Sequence, residues 1–194
     1  MNGSRMWHTL RLFLIRNPKK RAEYLRKNGV FKEIGLNCLY MGRVVPLYPN
    51  LIRLGDNVHI SSNVRLVTHN DVHSVLNYLS RSKDISLQHN FKENIGCIDI
   101  GNNVFIGVNS IITSNVRIGD NVIVSAGTLV VNDVPSNSVV RGVPAKKICS
   151  TDQIYDIMKE IDTYPDELTP RMGTFVGKEL EDWLWKHFNE VRER

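Results

Sequence analysis

Ile100–Pro135 reads IGNNVF IGVNSI ITSNVR IGDNVI VSAGTL VVNDVP once it is cut every six residues. An aliphatic residue opens each unit, at Ile100, Ile106, Ile112, Ile118, Val124 and Val130. The fifth place is small or β-branched, at Val104, Ser110, Val116, Val122, Thr128 and Val134. The same phase holds upstream in LGDNVH, ISSNVR and LVTHND, opened by Leu54, Ile60 and Leu66. A helix has no use for this period, because six steps of about 100° leave successive apolar side chains about 120° out of line. Short strands joined by tight corners do fit it. With three units to a coil, each opener points into a triangular prism and stacks on the opener three units away, which is a parallel β-helix.

The fourth place carries the corner chemistry: Asn57, Asn63, Asn103, Asn109, Asn115 and Asn121, then Gly127 and Asp133. These residue types accept the left-handed backbone that a sharp corner requires, so a left-handed residue is predicted at each. Glycine in the second place, at Gly55, Gly101, Gly107 and Gly119, is expected to leave room where strands bend. The pattern breaks in LVTHNDVHSV, Leu66–Val75, where the fourth place is His69. Histidine tolerates the left-handed region, so His69 is expected to turn a corner as the asparagines do. Beyond it the repeat vanishes until Ile100, and an excursion loop of about 70–97 is predicted; long loops in compact repeat proteins are functional or disordered.

The chain has 194 residues, a net charge of +5, 42% hydrophobic and 23% charged residues, a composition typical of a globular protein with one principal core. No stretch approaches the roughly 18 apolar residues of a membrane span. The first residues, MNGSRMWHTLRLFLIRNPKKRAEYLRK, are expected to form an amphipathic helix and not a signal peptide, since Arg11 interrupts the apolar patch and no small-residue cleavage site follows. Cys38, Cys97 and Cys149 show no CxxC spacing, so neither a disulfide framework nor structural zinc is expected, and the cytoplasm is the expected compartment. The basic residues do not form the aromatic-interleaved stripe of a nucleic-acid binder. After Ile148, Ser150, Thr151 and Asp152 are candidate caps for a helix with Ile154, Ile157, Met158 and Ile161 on one face, expected to cover the open end of the prism. A second helix carries Leu180, Trp183, Leu184 and Phe188, and Trp183, Trp185 and Phe188 are read as packing or partner residues. The predicted organisation is an N-terminal helical segment (1–33), a β-helix domain (34–148) and a C-terminal helical segment (149–194).

The run from Ile100 to Ile148, with its closing DVPSNSVVRGVPAKKI, resembles the signature of the hexapeptide-repeat acyltransferases, a group that includes galactoside, maltose and serine acetyltransferases; LIRLGDNVHISSNVRLVTH, Leu51–His69, is similar to members acting in polysaccharide biosynthesis. The resemblance implies a left-handed coil, a homotrimer with active sites between subunits, and acetyl-CoA as acyl donor with no metal. The function it implies is O-acetylation of a sugar or surface-polysaccharide precursor. His69 matches the position of the family's catalytic base, and a histidine titrates in the right range to take a proton from an alcohol near neutrality. Asn70, Asp71 and His73 are candidates for acceptor contacts; His89 is a weaker one. By motif, Val108, Asn109, Ala126, Gly127, Val131 and Asn132 match the donor groove. Relatives often carry Thr-Lys where this chain has Val131-Asn132, so Arg141, Lys146 and Lys147 are the candidate partners for donor phosphates.

Other readings stay open on sequence alone. An N-acetyltransferase on an amino sugar or serine-type acceptor needs the same base, and a non-catalytic assembly subunit needs only the scaffold. A carbonic-anhydrase-type zinc enzyme requires three converging histidines, yet no histidine lies between His89 and His187.

Overall fold

The repeat is realised as strands of two to four residues, stacked coil upon coil. A computed structural model describes residues 3–82, 90–161, 164–169 and 176–192. Two helices come first, α1 (Gly3–Leu14) and α2 (Pro18–Lys27). They correct the expectation of one continuous amphipathic helix. Asn17 caps α2 by accepting from the backbone N–H of Lys19 (2.8 Å) and Lys20 (3.3 Å), and Pro18 opens it. Proline has no N–H to give a preceding turn and is well placed at the first helical position, so the pair ends one helix and starts the next.

The first coil contributes β1 (Glu33–Ile34) and β2 (Leu39–Tyr40); the second, β3 (Ile52–Leu54), β4 (His59–Ile60) and β5 (Arg65–Val67). Then comes the excursion: β6 (His69–Asn70), α3 (Val72–Ser82) and β7 (Asn94–Ile95). The prism resumes with β8 (Ile98–Ile100), β9 (Val104–Ile106) and β10 (Ile111–Thr113), followed by β11 (Val116–Ile118), β12 (Val122–Val124) and β13 (Leu129–Val130). It closes with β14 (Ser138–Arg141) and β15 (Lys146–Cys149). Three parallel faces result: β1-β3-β8-β11, β2-β4-β9-β12-β14, and β5-β10-β13. Only β15 runs antiparallel in its sheet, along β14.

The alternation within each strand explains the fold. In β8, β9 and β11 the outer two residues are buried and the middle one is not. Every opener from Leu54 to Val130 is at most 6% exposed, and the fifth-place residues Val58, Val104, Ser110, Val116, Val122 and Thr128 are at most 2% exposed. Each coil lays these side chains on those of the next, Ile100 on Ile118 and Ile106 on Val124. Burial of such a side chain stabilises by about 1.5–3 kcal/mol, and the stack makes one continuous core.

Asn57, Asn63, Asn103, Asn109, Asn115 and Asn121 all take positive φ, as does Gly127. At one edge the amides ladder: Asn57 Nδ2 donates to Asn103 Oδ1 (3.0 Å), Asn103 to Asn121 (2.9 Å) and Asn121 to Asn137 (3.1 Å). That ladder offsets the cost of holding an L-residue in the left-handed region. Asp133 departs from expectation. It has no positive φ; the left-handed residue of the last coil is Asn137. Val134 pairs with Ile118, and Ser138 with Val122, so the last coil is shorter than an 18-residue turn by two. Asp133 Oδ1 instead accepts from Arg117 N (2.7 Å), standing in for a carbonyl that the shortened coil lacks. The second-place glycines also have another reason than bending: a Cβ on Gly107 would stand 2.5 Å from Ala126 N, and one on Gly55 2.8 Å from the Gly101 carbonyl. The neighbouring coil's backbone occupies the space.

The chain divides into one unit through Ile154 and a second from Tyr155. Helix α4 (Thr151–Glu160) starts on a capping box, as Gln153 N donates to Ser150 Oγ (3.2 Å) and Ser150 N to Gln153 Oε1 (2.9 Å). Of the three candidate caps, Ser150 is the one used. In α5 (Lys178–Arg192), Trp183 stacks on His187 and Trp185 meets Phe188 edge-on. Among the described residues no helix is long and apolar enough to cross a membrane.

Candidate active site

The chain leaves the prism at Thr68. Strand β5 follows β10 in register as far as Val67 opposite Thr113. Thr68 is then buried, its hydroxyl donating to Leu47 O (2.6 Å) and its carbonyl accepting from Gly96 N (2.8 Å). This one residue fixes both the loop below and the returning limb of the excursion. His69 and Asn70 run on as β6, antiparallel to β7, with His69 opposite Ile95. The expected corner at His69 is therefore not made. His69 is absent from the left-handed residues, whereas Asn115, its register equivalent in the next coil, has φ 61°. A left-handed residue would bend the chain onto the next face; extended backbone carries it off the prism edge instead.

The imidazole of His69 is half-buried and meets the Tyr48 ring edge-to-face, with centroids 5.5 Å apart at 82°. It borders a cleft of about 600 Å³ lined also by Phe13, Tyr40, Arg43, Asn63 and Val67. Tyr48 itself has φ 50°, and its hydroxyl donates to Glu93 Oε2 (3.1 Å). That hydrogen bond, made to a carboxylate, raises the phenol's pKa above its usual value. Neither Tyr48 nor Glu93 was legible as a site residue, since they meet only when the excursion folds back. Tyr48→Phe keeps the ring against His69 and removes the hydroxyl. Turnover is expected to fall about fivefold, the equivalent of one hydrogen bond of about 1 kcal/mol, in a coupled thiol-release assay; an unchanged kcat would deny Tyr48 a positioning role.

The far wall of the cleft is held by Arg21. This side chain is 4% exposed and donates to five carbonyls: Ile15 (2.9 Å), Arg16 (3.0 Å), Tyr40 (3.1 Å), Met41 (2.6 Å) and Gly42 (3.3 Å). The guanidinium's planar fork suits such a divergent set of acceptors.

The candidate base, His69, lines the cleft, whereas the acceptor candidates Asn70, Asp71 and His73 do not. Asn70 Oδ1 accepts from Val72 N (3.3 Å) and Asp71 Oδ1 from Ser74 Oγ (2.8 Å), so both serve the start of α3. Asp71 lies 3.4 Å from His73 Nδ1, an ion-pair distance without hydrogen-bond geometry, and that nitrogen is buried without a partner. His89 lies outside the described residues. Helix α3 corrects the expectation of a loop; Val72, Val75, Leu76 and Leu79 stand at helical spacing, and the polar residues among them masked it. Asn77 ties the helix to the returning limb through both the N–H (2.8 Å) and the carbonyl (2.9 Å) of Phe91.

The donor-side candidates fall into two sets. Asn109 and Gly127 turn the same edge in successive coils at φ 60° and 67°, and Gly127 N donates to Val108 O (2.8 Å). This column begins at the cleft, where Asn109 N donates to Ser62 O (3.2 Å), and ends at Gly142, whose carbonyl accepts from Leu129 N (3.0 Å). Ala126 and Gly127 are exposed along it. Arg141 precedes Gly142, with Lys146 opposite it and Lys147 opposite Val140 across the β14–β15 pair, all three exposed. Val131 and Asn132 lie apart, on the other edge of the β5-β10-β13 face, the edge from which His69 departs.

Comparisons with known proteins agree with this architecture. A family model described as "Bacterial transferase hexapeptide (six repeats)" matches residues 98–132. The galactoside O-acetyltransferase of Lactococcus lactis subsp. lactis (strain IL1403) is 30% identical over 172 residues, covering 76% of this chain and 78% of that protein. The chain belongs to the hexapeptide-repeat acyltransferase family. Protein CapG of Staphylococcus aureus is 40% identical over 129 residues, 65% of this chain and 69% of CapG. Among solved structures, a galactoside acetyltransferase in complex with coenzyme A aligns with 86% of this chain and 90% of its own, at 26% identity and a TM-score of 0.56. A maltose O-acetyltransferase from Clostridium difficile 630, at 24% identity and a TM-score of 0.52 over 75% of this chain and 85% of its own, shares the fold. As a hexapeptide-repeat acyltransferase, this protein is an enzyme of acetyl transfer.

Proposed function

We propose that this acyltransferase moves an acetyl group from acetyl-CoA to a hydroxyl of a sugar or surface-polysaccharide precursor, with His69 as general base. The observation that carries the reading is the position of His69: its ring borders the cleft, is packed on Tyr48, and stands where the exposed edge of the coil gives way to the excursion. His69 takes the acceptor hydroxyl's proton as that oxygen attacks the thioester carbonyl. The carbon–oxygen bond forms, the carbon–sulfur bond breaks, and the proton passes to the departing thiolate, so no acyl-enzyme is needed.

The donor is assigned to the column running from Ser62 past Val108, Asn109, Ala126 and Gly127. The small side chain of Ala126 and the bare backbone of Gly127 suit a long amide-bearing arm, and Arg141, Lys146 and Lys147 at its end suit phosphates. Val131 and Asn132, on the His69 edge, are assigned to the thioester end. Asn70, Asp71 and His73 act through the start of α3. The coil is taken as left-handed and the enzyme as a homotrimer with a neighbouring subunit walling the donor column, as the family resemblance implies. The similarity to galactoside O-acetyltransferases supports a saccharide acceptor.

Release of coenzyme A thiol from acetyl-CoA, followed over a panel of galactosides, maltose, amino sugars, serine and capsular oligosaccharides, tests the reading. Acceptor-dependent release with a saccharide hydroxyl is the expected result. Release with amino acceptors alone would move the enzyme to N-acetylation, and none with any acceptor would favour an assembly role.

A further inference from the structure

Helix α1 has two faces with different fates. Arg5, His8, Thr9 and Leu12 turn inward: Arg5 donates to Val45 O (3.4 Å), His8 Nδ1 meets the Tyr24 hydroxyl (2.8 Å), Thr9 Oγ1 accepts from Val45 N (3.2 Å), and Leu12 is fully buried. Met6, Trp7, Leu10, Phe13 and Leu14 occupy the opposite arc, spaced i, i+1, i+4, i+7 and i+8, and each is more than half exposed. At about 100° per residue they fill a continuous sector of about 120°. The inward contacts hold the helix by its polar and apolar back, so this sector is presented to the outside by the fold and does not result from a helix left undocked. Five large apolar side chains on one exposed helical face are more than a monomer surface ordinarily leaves uncovered.

Charge decides what covers it. Arg11 borders the sector, Arg16 follows it in the link between α1 and α2, and Lys19 and Lys20 stand at the start of α2, all four exposed. No acidic residue occurs before Glu23. A protein partner or a second copy would have to supply an acidic rim around an apolar patch; an anionic bilayer supplies both chemistries at once, headgroup phosphates for the cations and acyl chains for the sector. Trp7 adds a side chain suited to the headgroup level. An apolar arc with basic flanks on a helix too short to span is the arrangement of a helix that lies in the membrane interface.

We infer that α1 is an interfacial helix that seats this enzyme on an anionic bilayer. Phe13 belongs to both the exposed sector and the cleft lining, and Arg43, also in the lining, donates to Phe13 O (2.9 Å) and lies over its ring. The seat therefore brings the cleft to the bilayer surface. This inference does not depend on the assignment of donor, acceptor or base.

Flotation of the full chain with vesicles tests it, comparing phosphatidylcholine alone with phosphatidylcholine containing phosphatidylglycerol. Binding to the anionic vesicles is expected to exceed binding to neutral ones by at least about tenfold and to weaken as salt is raised. The L10E/L14E double variant, altered only at exposed positions, is expected to abolish it while keeping the wild-type circular dichroism and Tm. The R11E/K19E/K20E variant is expected to lower it about tenfold or more with the apolar sector intact. Equal, negligible flotation of the wild type with both vesicles would overturn the inference, as would anionic binding indifferent to L10E/L14E. A change of oligomeric state in L10E/L14E by sedimentation, with no vesicle binding by the wild type, would assign the sector to a second copy and overturn it too.

Discussion

His69→Ala is expected to lower turnover by about 10²–10⁴-fold, the span over which a positioned general base contributes, with little change in the affinity for acetyl-CoA. The expectation rests on what the side chain touches. Its ring is packed against Tyr48 and borders the cleft, and its backbone belongs to a two-stranded ribbon outside the prism. Truncation removes a proton acceptor without opening the core, so Tm should hold within a few degrees. His73→Ala is the matched comparison. His73 lies four residues on, in α3, and does not line the cleft; its loss is expected to cost less than about tenfold in kcat. Steady-state kinetics by thiol release, with circular dichroism as the folding control, separates the two. Unchanged turnover in His69→Ala would end the assignment of the base, and a larger loss in His73→Ala would transfer it.

Arg21→Ala carries the largest expected effect on stability, about 3–5 kcal/mol, read as a Tm lower by about 10 °C. Among the described residues Arg21 is paired with no carboxylate. Its guanidinium is spent on five carbonyl oxygens drawn from the α1–α2 linker and from residues 40–42 of the cleft wall. Deleting it leaves the buried Tyr40 carbonyl and four partly buried ones without this donor, and an acceptor left unsatisfied away from water costs more than the loss of the bond itself. Arg21→Lys should recover less than half of the loss, because an ammonium cannot serve acceptors from two segments in one plane. The stability loss should be accompanied by a higher KM for the acceptor, since Tyr40, Met41 and Gly42 line the cleft. A variant with wild-type Tm would show that the linker and wall hold without this residue.

Arg21 also shows where sequence reading stops. In NPKKRAEY it is one of several basic residues, and nothing local distinguishes the one that is buried from Lys19 and Lys20, which are exposed. Tyr48 and Glu93 are equally silent, being 45 residues apart and joined only by the path of the excursion. Asp133 falls at a corner only if the six-residue phase continues unbroken; the coil there is shorter, and Asn137 takes the turn. Helix α3 and the Asn17–Pro18 break had local signals that the stronger six-residue rhythm overshadowed.

What the sequence determined by itself is the prism: a period of six, aliphatic openers and asparagine corners are local requirements repeated in every coil, and each residue states its own place because its neighbours are its own equivalents one coil away. What only the tertiary structure decided is the site. His69 keeps the phase of a corner residue but not its conformation, and it gains its setting from Tyr48, Thr68 and the returning limb at Gly96. Those contacts join segments outside the repeat, and no periodicity encodes a meeting that happens once.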